Sequence, residues 1–174
     1  MTTHRINLHR FAVSYGEIVL ASVGDELCLC DWSRQACAAR NLHLIQRNLN
    51  AEFEEAPSEV ICRAQEQLEA YFACELKDFS LPLRLVGTPF QKRVWEELMR
   101  IPYGELTTYK AVAQRVGNAK GVRAVAQAIG ANRLGIIVPC HRVVGSDGSL
   151  TGFASGLETK RMLLTLEGID CTNR

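Results

Sequence analysis

Residues 107–130 read TTYKAVAQRVGNAKGVRAVAQAIG. A threonine at 107 or 108 suits a helix N-cap, because its hydroxyl can accept a backbone N–H that the first turn leaves orphaned. The helix it opens runs through Val116, and Gly117-Asn118 ends it. A second short helix is expected from about Gly121 to Gly130. Two short helices joined by about four residues make a helix-turn-helix candidate. The second helix is nearly all small residues with one arginine, Arg123. Small side chains let a helix backbone come close to whatever it faces.

Working outward, Thr88 is an N-cap with Pro89 at the first helical position. Phe90, Val94, Leu98 and Ile101 form the apolar face of that helix, and Pro102-Tyr103-Gly104 stops it. On the other side, the apolar run 134–139 is expected as a buried strand. Residues 145–148 form a turn, Gly152 and Gly156 bracket a loop, and a last helix spans 157–167, closed by Gly168. The first third reads as a small antiparallel meander: alternation at Phe11, Val13 and Tyr15, a turn at Gly16, then Ile18, Leu20 and Ser22, a turn at Gly24-Asp25, then Leu27, Leu29 and Asp31. A helix fits 34–49. A stronger one opens at Pro57-Ser58, with Ile61, Ala64, Leu68 and Phe72 on one face. Residues 76–88 look like an irregular connector. The fold class is therefore α+β in two domains: 1–85 with a short antiparallel sheet, and a mostly helical 86–174.

The 174 residues are 47% hydrophobic and 22% charged, with a formal net charge of +1, which suits a soluble globular chain. No apolar run approaches the roughly 20 residues that span a bilayer, and the N-terminus has no signal-peptide core. Seven cysteines (28, 30, 37, 62, 74, 140, 171) are odd in number and widely spaced, which favours reduced thiols and a cytoplasmic protein over a disulfide framework. The charge is uneven. Residues 1–85 carry eight bases against twelve acids, and 86–174 carry twelve against seven. From 106 to 146 there are six bases (Lys110, Arg115, Lys120, Arg123, Arg133, Arg142) and no acid. A basic segment in a neutral protein is how a polyanion contact looks from sequence; a solvated face fits as well.

Pro139-Cys140-His141-Arg142 carries the chemistry. A cysteine after an apolar run is commonly a small core residue. Here a proline fixes the backbone before it, and a histidine and an arginine that could lower the thiol pKa follow it. Adjacent side chains diverge in any regular backbone, so His141 cannot easily touch the Cys140 sulfur, and proton transfer would run through a water molecule. Such a histidine wants a carboxylate on its second nitrogen. Glu167 is one candidate, although its spacing alone fits a surface residue better.

The run 136–144 (IIVPCHRVV) resembles the active-site motif of O6-alkylguanine-DNA alkyltransferases, the methylated-DNA–protein-cysteine methyltransferases. Further runs match in order and spacing: 87–91 (GTPFQ), 94–95 (VW), 101–105 (IPYGE), 108–109 (TY), 122–125 (VRAV), 131–132 (AN), 148–152 (GSLTG), 163–164 (LL) and 166–168 (LEG). The match is dense from about 86 to 168 and thin before it. The resemblance implies a ribonuclease H-like first domain and a winged-helix-like second domain. It implies irreversible, once-only transfer of an alkyl group from O6-alkylguanine, and from O4-alkylthymine, to Cys140 after base flipping, with no cofactor. Carried over, His141 is the base acting through water, Glu167 orients it, Asn132 braces the turn before Cys140, and Tyr109 donates its hydroxyl to the damaged base. Arg123 fills the gap left by the flipped base. Ala124, Thr108, Gln127, Ala131 and Arg142 join it in binding DNA, and Val143, Phe153, Ala154 and Ser155 line the base pocket. The partner is alkylated duplex DNA, held in the minor groove without sequence preference; there is no membrane partner. Family members work as monomers, some of which bind DNA side by side. Without the family, Tyr109 reads as a core aromatic and Arg123 as a solvated charge.

Two departures concern the pocket. Phe153 stands where the family usually has tyrosine, and Ser155-Gly156 replaces a Gly-Gly pair. Some members bind zinc in the first domain, but Cys28 and Cys30, with His4 and His9 nearby, do not have zinc-finger spacing, and no metal is expected. Two other functions remain open: a DNA-binding module without activity, and a cysteine hydrolase, against which the adjacent Cys-His argues.

Overall fold

A strand that exposes alternate residues to two faces needs an apolar layer on each face it buries. In this computed structural model, which describes residues 4–33 and 36–172 without the His4 side chain, both layers are helices. The expected helix start at 34–35 and the side chain of the histidine at 4 lie outside what is described. The chain divides into two compact units, Met1–Val86 and Gly87–Arg174.

In the first unit, β1 (His4–Val13), β2 (Gly16–Val23) and β3 (Glu26–Trp32) form the antiparallel meander. Helix α1 (Ala36–Leu49) follows, and then a strand missed in the sequence, β4 (Ala51–Glu55). It pairs parallel to β1, with Ile6 opposite Phe53, so the order is β3-β2-β1-β4 and the sheet is mixed rather than wholly antiparallel. The reason is the helix: a crossover through α1 returns the chain in the direction of β3, which is also that of β1. Ile6, Leu8, Val19, Ala21 and Leu29 pack with Ala38, Ile45 and Ala51 under α1. The opposite face meets α2 (Glu59–Phe72), where the Ser22 and Ser58 hydroxyls are 2.7 Å apart and the Trp32 and Phe72 rings 6.2 Å apart. Along the outer edge of β3, Leu27 N–H donates to Pro82 O at 2.9 Å and Arg84 N–H to Leu27 O at 2.8 Å. On β4, Glu54 and Glu55 pair with Arg5 and Arg10 of β1.

The second unit is mostly helical: α3 (Pro89–Leu98), α4 (Tyr109–Arg115), α5 (Val122–Gly130) and α6 (Leu157–Leu166). Its only sheet among the described residues pairs β5 (Thr107–Thr108) in parallel with β6 (Val143–Val144). Thr88 caps α3 in a reciprocal box with Gln91. Thr108, not Thr107, caps α4, accepting from Ala111 N–H at 3.1 Å. Beneath α3 the Trp95 indole is 1% exposed and donates to Ala128 O at 2.8 Å. A Cβ at Gly87 would lie 2.5 Å from that ring. Gly87→Ala therefore has to move a locked indole, and its urea midpoint should fall by the equivalent of about 1–3 kcal/mol.

The expected strand at 134–139 is not a strand. Leu134, Ile136, Ile137 and Val138 are buried as the apolar run implies. Their backbone is satisfied locally instead, with Val138 N–H donating to Leu134 O and Cys140 N–H to Val138 O, both at 2.8 Å. Ile136 sits at φ +70°, unusual for a β-branched residue. An apolar run specifies burial, and either a strand or a chain of tight turns can deliver it.

Candidate active site

Pro139 leads into a single 3-10 turn, Cys140–Arg142. Three residues per turn send successive side chains about 120° apart. Cys140, His141 and Arg142 therefore reach three different neighbours, and all three are buried.

Cys140 meets Asn132, which follows α5. The Asn132 amide donates to Val138 O at 2.9 Å and to the Cys140 sulfur at 3.2 Å, while its Oδ1 accepts from Leu134 N–H at 3.0 Å. One side chain thus ties the end of α5 to the turn and aims a donor at the thiol. That interaction strengthens as the sulfur gains negative charge.

His141 is 0% exposed, and its Nε2 lies 2.7 Å from Glu167 Oε1. Glu167 follows α6 and accepts from three more donors: Arg142 Nε and Nη2, each at 2.9 Å, and Gly104 N–H at 3.1 Å. Burial works against the Glu167 charge, but the His141 and Arg142 hydrogen bonds outweigh it and hold the carboxyl well below the usual range. An ionised Glu167 can only accept, so Nε2 carries the proton and Nδ1 keeps its lone pair. Burial lowers the His141 pKa against the pull of Glu167, which keeps the ring neutral. Nδ1 is buried and has no hydrogen-bond partner among the described residues.

Arg142, expected among the DNA contacts, is turned inward. It is 5% exposed, grips Glu167 with two donors, and gives its third to Ile101 O at 2.6 Å. A buried carboxylate needs a partner, and this guanidinium meets it with a bidentate fork. Arg133 is also buried, with its guanidinium 5.6 Å from the Trp95 ring centre. Four of the six bases of 106–146 remain exposed: Lys110, Arg115, Lys120 and Arg123.

The Tyr109 hydroxyl donates to Thr151 O at 2.8 Å and Gly152 O at 3.1 Å. In the loop that follows, Phe153 is half-buried, Ala154 exposed and Ser155 buried, and Ser155 O accepts from the Thr159 hydroxyl at 2.9 Å. Val143 is 0% exposed. Its carbonyl accepts from Lys160 Nζ at 2.5 Å. Lys160 was missed in the sequence although a signal existed: positions 160, 163 and 164 form the inward stripe of α6, which Glu167 continues just beyond its end.

On α5, Val125, Ala128 and Ile129 face inward, while Arg123, Ala124 and Gln127 lie together on the exposed side, with Ala131 half-buried just beyond. Thr108 is half-buried at the α4 cap. In the first unit, Cys28 and Cys30 are core residues. Burial pushes the Cys28 thiol up to about 12 and raises Cys30 as well, the opposite of what a thiolate ligand needs.

Residues 89–169 match the family model described as 6-O-methylguanine DNA methyltransferase, DNA binding domain. The chain is 57% identical over 105 residues to the methylated-DNA–protein-cysteine methyltransferase of Methanosarcina acetivorans, covering 60% of this chain and 67% of that protein. It is 52% identical over 121 residues to the constitutive enzyme of that name from Bacillus subtilis, covering 69% and 72%. A crystal structure of Mycobacterium tuberculosis OGT in complex with DNA superposes with a TM-score of 0.79 at 37% identity, over 92% of each chain. The closeness in sequence and fold places the chain in the methylated-DNA–protein-cysteine methyltransferase family.

Proposed function

We propose that this protein repairs alkylated DNA by direct reversal, moving the alkyl group of O6-alkylguanine, and of O4-alkylthymine, onto Cys140. The observation that carries the reading is the buried set in which Asn132 faces the Cys140 sulfur and Glu167 fixes the neighbouring His141 with Nδ1 free to accept. The thiol proton passes through a water to Nδ1. The thiolate attacks the alkyl carbon, the S–C bond forms, the C–O6 bond breaks, and its electron pair stays on the base, which takes a proton from the Tyr109 hydroxyl as it leaves. A thioether is a poor leaving group, so each molecule acts once. No cofactor takes part in these steps.

The target atom inside a duplex is out of reach of a buried thiol, so the base has to flip out. The exposed face of α5 suits the minor groove, with Ala124, Gln127 and Ala131 allowing close approach, Thr108 near the backbone, and Arg123 entering the vacated stack. Val143, Phe153, Ala154 and Ser155 form the base pocket. Residues 87–174 hold the DNA-binding and transfer groups. No described helix is long and apolar enough to cross a membrane; we place the protein in the cytoplasm because its cysteine usage suits a reducing compartment.

Intact mass after incubation with duplex DNA holding one O6-methylguanine tests the reading. The expected result is a gain of one methylene, about 14 Da, that stops at one equivalent and maps to Cys140. Binding without a mass change would leave a damage sensor instead. Because binding rests on phosphates, it should also weaken with salt. Replacing Lys110 or Lys120 by glutamine should each flatten the slope of log K against log salt by about one.

A further inference from the structure

We propose that Lys160 is a positioning residue for the transfer: it keeps the loop from Thr151 to Gly156 fastened beside Cys140 while Tyr109 lets go of that loop to serve the alkylated base. The proposal rests on the function argued above. Lys160 is 0% exposed on α6, and Nζ donates to Val143 O at 2.5 Å and to Thr151 O at 2.9 Å. It therefore bridges the strand that follows Cys140 and the start of the loop. Tyr109 donates to the same Thr151 carbonyl from the first turn of α4. Two donors from two helices converge on one oxygen, and only one of them is free of any other task.

A phenol has one proton. If Tyr109 gives it to the departing base, it cannot also give it to Thr151 and Gly152. The loop then depends on Lys160. It also has hinges at both ends, since Gly152 sits at φ +55° and Gly156 at φ +89°. Beyond the two carbonyls the ammonium lies 5.7 Å from the Tyr109 ring centre and 5.9 Å from that of Phe153. Phe153 belongs to the loop itself, so the cation grips both its backbone and its ring. Burial brings the Lys160 pKa down to about 8, with a Cys140 charge opposing the shift, and the Lys160 charge in turn disfavours protonated His141. Cys140 and His141 on the turn are the titratable groups coupled to this ammonium, and the Tyr109 ring on α4 faces it. Above about pH 8 the neutral amine has given up one of its three hydrogens and lost the charge that strengthens each contact.

The test compares two reactions of Cys140 under single-turnover conditions: transfer from an O6-methylguanine duplex, which needs the pocket, and alkylation by iodoacetamide, which does not. For the wild type, the ratio of duplex rate to iodoacetamide rate should fall as pH rises through about 8. For Lys160→Met it should be lower by about 10- to 100-fold at pH 7 and flat with pH, with binding to undamaged duplex unchanged. A wild-type ratio that stays flat overturns the proposal even if Lys160→Met does not fold. So does a Lys160→Met variant that slows both reactions equally, because the lysine would then be acting on the thiol. Wild-type protein that takes no methyl group from the duplex at any pH overturns the proposed function and the latch with it. Wild-type protein that transfers with a flat ratio overturns the latch alone.

Discussion

Cys140→Ala is expected to bind an O6-methylguanine duplex as tightly as the wild type and to take up no methyl group. The fold should survive because the turn is braced without the sulfur. Asn132 keeps its bonds to Val138 O and from Leu134 N–H, and the deletion removes one atom from a site that is 8% exposed. The chemistry should not survive. An sp³ carbon attached to a base oxygen needs a soft, anionic attacker, and this change removes the thiol that Asn132 faces. Cys140→Ser offers only a hydroxyl whose proton is far harder to remove, so its transfer rate should fall by more than about 10⁴-fold. Both variants should be followed by intact mass and by mapping of the modified peptide. Methyl uptake by Cys140→Ala at one equivalent on another cysteine would move the reactive site elsewhere.

Glu167→Gln should be the most destabilising single change in the second unit. The carboxylate faces four donors from His141, Arg142 and Gly104, and its side chain is 0% exposed. An amide of the same shape leaves the Arg142 guanidinium buried without its counter-charge. Removing one partner of a buried pair costs about 3–5 kcal/mol, which should lower the melting temperature by roughly 10 °C or more. The transfer rate should drop by about 10²- to 10⁴-fold, because nothing then fixes the His141 tautomer. Acid makes the same point in the wild type. Glu167 has a depressed carboxyl pKa, so its contribution is full above the ordinary value of about 4.3 and is lost as pH falls through the folded value. His141 is held neutral by burial, so its contribution is full above about 6.5 and also declines on acidification. Stability should therefore weaken below about pH 6.5 and fall more steeply below about pH 4. Glu167→Gln should lack the steeper phase.

Much of the second unit could be read from the chain. Thr88-Pro89 and Thr108 start helices for local reasons, and the small-residue helix around Arg123 shows its exposed face through simple periodicity. The residues that resisted reading are those whose surroundings are assembled from afar. Arg142 counts as a surface charge in any tally, and its inward turn depends on Glu167, 25 residues later. The spacing of Glu167 suggests a solvated acid for the same reason. Residues 134–139 state that they are buried but not in which backbone form. In the first unit, AEFEE looks too acidic for a strand because β4 lies at a sheet edge and needs only Ala51 fully inside. Lys160 could have been found, since a lysine on an apolar stripe is a question the sequence itself poses.

That acidic strand bears on how the protein behaves in company. A sheet edge with unpaired backbone groups is an invitation for another chain to add a strand and begin an aggregate. One edge here is already occupied by the segment from Pro82 to Arg84. The other, β4, is five residues long and carries Glu52, Glu54 and Glu55. A strand docking on this edge would have to accommodate three charged side chains, two of them committed to the Arg5–Glu54 and Arg10–Glu55 pairs, before its hydrogen bonds could form. Copies of the chain at high local density can therefore be neighbours without fusing into a common sheet.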